Sequence, residues 1–74
     1  MILSERSTLM IQLNGEYLAG YDNKSLAQLI SDLHYDITKI AVECNGSIIP
    51  KSLYKTSVLN ENDVLEIVTF VGGG

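Results

Sequence analysis

The chain has 74 residues, a formal net charge of −4 at pH 7 and 46% hydrophobic residues, which describes one small globular domain. A core of this size leaves little room for a preformed substrate pocket, which argues against an enzyme that works unaided. The five basic residues are scattered, which disfavours nucleic-acid binding, and the single cysteine excludes an internal disulfide and leaves too few ligands for a typical zinc site.

The first predicted elements are two strands joined by a tight turn. Residues 1–8 show no periodic pattern and are interpreted as a frayed N-terminal extension. Hydrophobic side chains then recur at every second position over residues 9–13, which indicates a half-buried strand. Asn14 and Gly15 form the strongest short hairpin signal, because both residues tolerate positive φ. Residues 16–21 are therefore predicted to be the returning strand.

A helix is predicted next. Ser25 stands three residues before Gln28, which is the spacing of a capping box, and leucine and isoleucine recur at helical intervals over residues 26–34. The apolar stripe of this helix should lie across a sheet. We interpret His34, at the helix end, as a C-terminal cation or surface residue, because nothing nearby in the sequence would orient it as a base.

The second half of the chain predicts three further strands. Hydrophobic alternation over residues 40–44 indicates the third strand, so Cys44 is interpreted as a small buried side chain rather than a sulfur-handling thiol. A second Asn-Gly pair, at residues 45 and 46, turns the chain into a fourth strand at residues 48–49. Pro50 cannot donate to a strand ladder, so it ends this strand or lies at a sheet edge. Residues 51–54 are predicted to form one short helical turn.

The last predicted strand has two different sides. Glu66 marks the side that faces water, so Leu65 and Ile67 should point into the core. By the same alternation, Val68 and Phe70 should share the side of Glu66. Because a partner that grips the end of the chain must also touch the strand before it, these two residues are candidate partner-docking residues.

The order is therefore strand, strand, helix, strand, strand, strand, with the last strand over residues 64–71. An economical arrangement is an α+β fold in which a mixed sheet of about five strands carries one main helix across one face. This is the β-grasp arrangement found in ubiquitin. Residues 1–74 should form one such domain, with the four tyrosines at the rim of its core.

The chain ends in Gly72, Gly73 and Gly74. Three glycines lose the maximal backbone entropy on ordering and pack nothing, so they are expected to form a thin, flexible tail with a carboxylate at its tip. An enzyme can draw such a tail into a narrow channel and act on its end group. Gly74 is accordingly the predicted reacting position, and Gly72 and Gly73 are the predicted tail for a partner's active site.

Together these segments resemble the ThiS family, the ubiquitin-like sulfur carriers of thiamine biosynthesis, from about residue 10 to residue 74. The resemblance rests on the order and spacing of these pieces: Asn14-Gly15 after the opening strand, Ser25-Leu26 at the helix start, Ile40-Ala41-Val42 leading to Asn45 through Pro50, Asp63 through Ile67, and the glycine tail. Two departures are the third glycine and the extra residues 1–9. Neither changes the terminal glycine.

The resemblance implies a carrier that is a substrate of partner enzymes, with no catalytic residue, metal or bound cofactor of its own. An E1-like adenylating enzyme of the ThiF type would use ATP and Mg²⁺ to join the Gly74 carboxylate to AMP. Sulfur from a cysteine desulfurase would convert Gly74 to a thiocarboxylate. A thiazole synthase of the ThiG type would then take up the sulfur.

No hydrophobic run approaches the roughly 18 residues of a membrane-spanning helix, and no signal-peptide pattern is present. We therefore expect a cytoplasmic protein, monomeric when free, that binds neither membrane nor nucleic acid.

Three other functions stay open. One is the small subunit of molybdopterin synthase, which has the same terminal chemistry and a different sulfur acceptor; the shorter core and residues 45–50 favour the thiamine carrier. Another is a ubiquitin-like modifier joined to lysines through Gly74, or a carrier for tRNA thiolation. The third is a plain binding module with an inert tail.

Overall fold

The computed structural model describes residues 10–70, in which five strands form one mixed sheet with a helix across it. The predicted N-terminal extension and the predicted glycine tail lie outside these residues. The elements are β1 (Met10–Leu13), β2 (Glu16–Ala19), α1 (Leu26–Asp32), β3 (Ile40–Cys44), β4 (Ser47–Ile49) and β5 (Val64–Thr69).

The strand order across the sheet is β2-β1-β5-β3-β4. β5 lies in the centre, parallel to β1 and antiparallel to β3. The two hairpins β1–β2 and β3–β4 form the two halves of the sheet. The predicted α+β fold, a mixed five-stranded sheet with one main helix, is therefore confirmed.

Both predicted Asn-Gly turns are present. Asn14 and Gly15 have φ of 50° and 87°, and Asn45 and Gly46 have φ of 52° and 87°. Positive φ at both central residues matches the right-handed twist of the flanking strands, which is why this dipeptide joins hairpin strands.

The helix begins as predicted and ends early. The Ser25 hydroxyl accepts a hydrogen bond from the backbone N–H of Gln28 at 3.0 Å, which caps the first turn. The prediction that the helix reaches residue 34 is wrong, because α1 ends at Asp32. His34 has φ of 63° and lies exposed beyond the helix, so it is a surface residue outside the last helical turn.

The core lies between α1 and the sheet. Its buried side chains are Ile11, Leu13, Leu26, Leu29, Ile30, Ile40, Val42, Tyr54, Leu59, Leu65 and Ile67. Tyr54 is only 1% exposed, so its expected place at the rim of the core is wrong. The backbone carbonyl of Tyr54 accepts from the N–H of Ala27 at 2.9 Å, which holds this segment against the start of α1. Burial raises the pKa of the Tyr54 hydroxyl.

Two strand ends and one short turn differ from the sequence prediction. β2 ends at Ala19 rather than at residue 21, because Gly20 takes φ of 91° and leaves the strand. β5 ends at Thr69. A short 3₁₀ turn at Ile37–Lys39 was not predicted, whereas the one at Lys51–Leu53 was.

Within residues 10–70, no helix is long and apolar enough to cross a membrane.

Candidate functional site

The central strand β5 separates buried from exposed side chains at every second residue. Leu65 and Ile67 are 0% and 5% exposed, whereas Val68 and Phe70 are 57% and 48% exposed. The predicted placement of these four residues is therefore confirmed. The docking role of Val68 and Phe70 stays a prediction.

The side of the sheet away from α1 is uncovered within residues 10–70, and we call it the open face. Strand register and alternation place these residues on it: Gln12, Tyr17, Ala41, Glu43, Ile48, Val64, Glu66, Val68 and Phe70. Large hydrophobic side chains are exposed on all parts of this face. A grouped apolar surface of this kind is typical of a protein-interaction site.

Phe70 is held at the end of the open face although it follows β5. Its backbone N–H donates to the carbonyl oxygen of Lys39 at 2.9 Å, which extends the pairing of β5 with β3 by one residue. The backbone of Phe70 is therefore anchored to β3 at the last described position of the chain, and its side chain is half exposed there.

A shallow depression of about 140 Å³ lies on the open face over β5, β3 and β4. Ala41, Ile48 and Val68 supply its apolar wall, and Glu43 and Glu66 supply two carboxylates. Glu43 and Glu66 are direct partners in the register of β3 and β5. In the sequence, Glu66 indicates only exposure and Glu43 carries no signal, because their pairing depends on which strands are neighbours.

Both Asn-Gly turns hold β5 through their asparagine side chains. The Asn14 amide accepts from the N–H of Ile67 at 2.8 Å and donates to its carbonyl at 3.1 Å. The Asn45 amide accepts from the N–H of Val64 at 2.9 Å and donates to an Asp63 carboxylate oxygen at 2.9 Å. The strand that leads to the glycine run is therefore fixed from both hairpins.

Cys44 faces the core side of the sheet, as predicted, but it is half-buried rather than buried. Desolvation raises the pKa of its thiol, and the Asp63 carboxylate adds to the effect. The protonated thiol is a poor nucleophile. The environment of Cys44 therefore suits packing better than sulfur transfer.

The described part of the chain holds no candidate metal cluster. Residues 10–70 contain no group of three or more histidine, cysteine, aspartate or glutamate side chains that could hold a metal ion. In the same range, no buried side-chain nitrogen or oxygen lacks a hydrogen-bond partner. The predicted reacting residue Gly74, and its neighbours Gly72 and Gly73, lie outside the described residues.

This chain is similar, among other proteins, to a sulfur carrier and to a part of thiazole synthases. The sequence profile of the ThiS family matches residues 11–74. The sulfur carrier protein ThiS of Bacillus subtilis is 38% identical over 66 residues, which is 88% of this chain and 100% of that protein. A thiazole synthase of Paramagnetospirillum magneticum is 39% identical over 66 residues, which is 89% of this chain and 20% of that protein.

A solved structure shares the fold. The crystal structure of the thiamine biosynthesis protein ThiS from Geobacter metallireducens superposes with a TM-score of 0.73. The likeness covers 88% of this chain and 99% of that one, at 24% sequence identity. At this identity the likeness supports the arrangement of helix and strands, and no more.

Proposed function

The chain belongs to the ThiS family, and we propose that it is a sulfur carrier protein in the biosynthesis of the thiazole moiety of thiamine. One observation carries the proposal: the family match extends through residue 74 and so includes the glycine run. The match to a sulfur carrier over that protein's whole length supports it. These relatives favour the thiamine carrier over the molybdopterin-synthase alternative.

The first chemical step we propose is activation of the Gly74 carboxylate. A carboxylate is a poor acyl donor, so a partner enzyme of the ThiF type joins it to the α-phosphate of ATP, with Mg²⁺, and pyrophosphate leaves. The product is an acyl-adenylate. Glycine suits this position because a Cβ would obstruct both a narrow channel and the approach to the carbonyl carbon.

The second step is replacement of AMP by sulfur. A persulfide supplied by a cysteine desulfurase attacks the Gly74 carbonyl carbon, and AMP leaves with the C–O bonding pair. A thiol then cleaves the sulfur–sulfur bond, which leaves a thiocarboxylate on Gly74 and a disulfide between the two former thiols. All catalytic groups and the nucleotide belong to the partners, and this chain supplies the end group.

The acceptor of the sulfur is a thiazole synthase. The support is that proteins with this name contain a region similar to nearly the whole of this chain, over about a fifth of their own length. The open face would dock on the partner enzymes, with Val68 and Phe70 next to the tail. A cytoplasmic location goes with this proposal, because the activating step consumes ATP.

The experiment that tests the proposal is a mass measurement on the intact chain. After incubation with the cognate activating enzyme, ATP, Mg²⁺, cysteine and a desulfurase, we expect the exchange of one oxygen for one sulfur. Conjugation to lysines of other proteins would instead show a modifier. No change in mass with a fully active enzyme would contradict the carrier proposal.

Deletion of Gly74 sharpens the test. One extended residue spans about 3.3–3.6 Å, and a misplacement of about 1 Å can lower a rate roughly 100-fold. We therefore expect a fall of about 100-fold in pyrophosphate release, with unchanged unfolding by urea. Removal of Gly73 and Gly74 together should abolish release. Full activity of a chain extended beyond Gly74, and shown by mass to be unprocessed, would exclude the Gly74 carboxylate as the reacting group.

A further inference from the structure

Two glutamates of the open face lie opposite one another on neighbouring strands. Glu43 of β3 and Glu66 of β5 are direct register partners. Opposite residues on antiparallel strands have Cβ atoms about 4.5–5.5 Å apart, and like charges at this distance destabilise a sheet. The centre of the sheet therefore carries a local electrostatic cost.

The sheet itself does not offset this cost. None of the five strands carries a lysine or an arginine. The immediate neighbours of the two carboxylates in the depression are Ala41, Ile48 and Val68, which are apolar. A pair of carboxylates beside an apolar wall matches a long side chain that is apolar along its stem and positive at its tip.

We propose that Glu43 and Glu66 together seat one arginine or lysine side chain of the thiazole synthase, an inference that rests on the function proposed above. The alkyl stem packs on Ala41, Ile48 and Val68, and the cation lies between the two carboxylates. Hydrogen bonds between ionised groups are roughly twice as strong as neutral ones, and an arginine can meet two carboxylates through its planar fork. Binding then relieves the repulsion that the free carrier bears.

The position of the pair agrees with this occupant. Glu66 lies on the strand that leads to residues 71–74, so an enzyme that holds the glycine run is already close to the depression. A second copy of this chain is a poor occupant, because two open faces in contact would bring four carboxylates together without a cation from any strand. The charge pattern therefore selects a basic partner over self-association.

The test uses the substitutions Glu43→Gln and Glu66→Gln, singly and together. Glu61→Gln is the matched control, because Glu61 is exposed in the turn before β5, outside every strand of the sheet, and its change removes the same charge. Affinity for the cognate thiazole synthase is measured by calorimetry at low and high salt, and stability is measured by urea unfolding. We expect the double variant to bind at least about tenfold more weakly, with a smaller salt dependence.

Stability should move the other way. Each Gln variant should be as stable as the natural chain or more stable, because the like-charge contact is relieved. A purely structural role would lower stability together with affinity. Unchanged affinity of the double variant, or an equal loss of affinity in Glu61→Gln, would overturn the proposal that Glu43 and Glu66 bind a basic side chain. The carrier function would still stand. Failure of the natural chain to bind thiazole synthase would overturn both the seat and the proposed sulfur acceptor, and thiocarboxylate formation would still report the carrier function separately.

Discussion

The two faces of the sheet are made from alternate residues of the same strands, and they follow opposite rules. On the side of α1, β5 contributes Leu65 and Ile67 to a core that excludes water. On the open face, the same strand exposes Val68 and Phe70 and sets Glu66 against Glu43. A shift of one residue along β5 thus moves a side chain from the buried core to the exposed face, where we propose that partners dock.

The difference shows where the stability of this small domain comes from. The helix-side face buries its apolar residues, and it can therefore support a second face that exposes apolar surface and opposes like charges. Stability and recognition are commonly in conflict at functional surfaces. Here alternate residues of each strand point to opposite faces, so substitutions can test the stability of the core face and the proposed binding of the open face separately.

The largest expected effect is on the core side. Ile67→Ala should lower the free energy of unfolding by about 2–5 kcal/mol, because it removes buried methyl groups and leaves a cavity. Urea unfolding measures the loss. Ile67→Val, with an expected cost of about 0.5–1.5 kcal/mol, serves if the alanine variant does not fold. A loss of partner affinity in the folded fraction would show that the two faces are coupled.

A smaller effect, on affinity alone, is expected on the open face. Phe70→Ala should weaken the complex with the activating enzyme by about tenfold or more, as for an exposed aromatic anchor, and change stability by about 0.5 kcal/mol or less. Val68→Ala should act in the same direction. Val58→Ala is its matched control, because Val58 is also exposed but lines a cavity with Leu26 on the helix side. Equal affinity of all three variants would remove the open face from the interface.

The smallest effect is expected at Cys44. Cys44→Ala should cost about 1 kcal/mol or less and leave thiocarboxylate formation intact. Because the pKa of the thiol is higher in the folded chain, its contribution to stability is complete below the unfolded pKa and is lost as pH rises through the folded pKa. Urea unfolding at neutral and alkaline pH should therefore differ less in the alanine variant. A Cys44→Ala variant that folds but forms no thiocarboxylate would contradict the interpretation of Cys44 as a packing residue.

Local signals in the sequence were sufficient for most of the fold. The two Asn-Gly pairs predicted both hairpins, and Ser25 with Gln28 marked the start of the helix. Alternation along β5 placed Val68 and Phe70 on the exposed side. These features depend on φ preferences and side-chain spacing within a few residues, so they can be predicted from a single sequence.

What could not be predicted depends on contacts between distant residues or on a single backbone angle. The Asn14 amide meets Ile67 across 53 positions of the sequence. The pairing of Glu43 with Glu66 exists only because β3 and β5 are neighbours. The helix end was missed because Leu33 continues the apolar pattern of the helix. The left-handed φ of His34 could not be predicted either, because no glycine marks that position in the sequence.

The two Asn-Gly pairs also make the hold on β5 sensitive to chemical ageing. Slow deamidation through a cyclic imide is least hindered where glycine follows asparagine, because glycine has no Cβ to obstruct ring closure. At Asn14, deamidation would replace the nitrogen that donates to the Ile67 carbonyl with a carboxylate oxygen. At Asn45, it would set a second carboxylate against Asp63. An aged sample would therefore lose side-chain hydrogen bonds that hold β5, the strand that precedes the glycine run in the sequence.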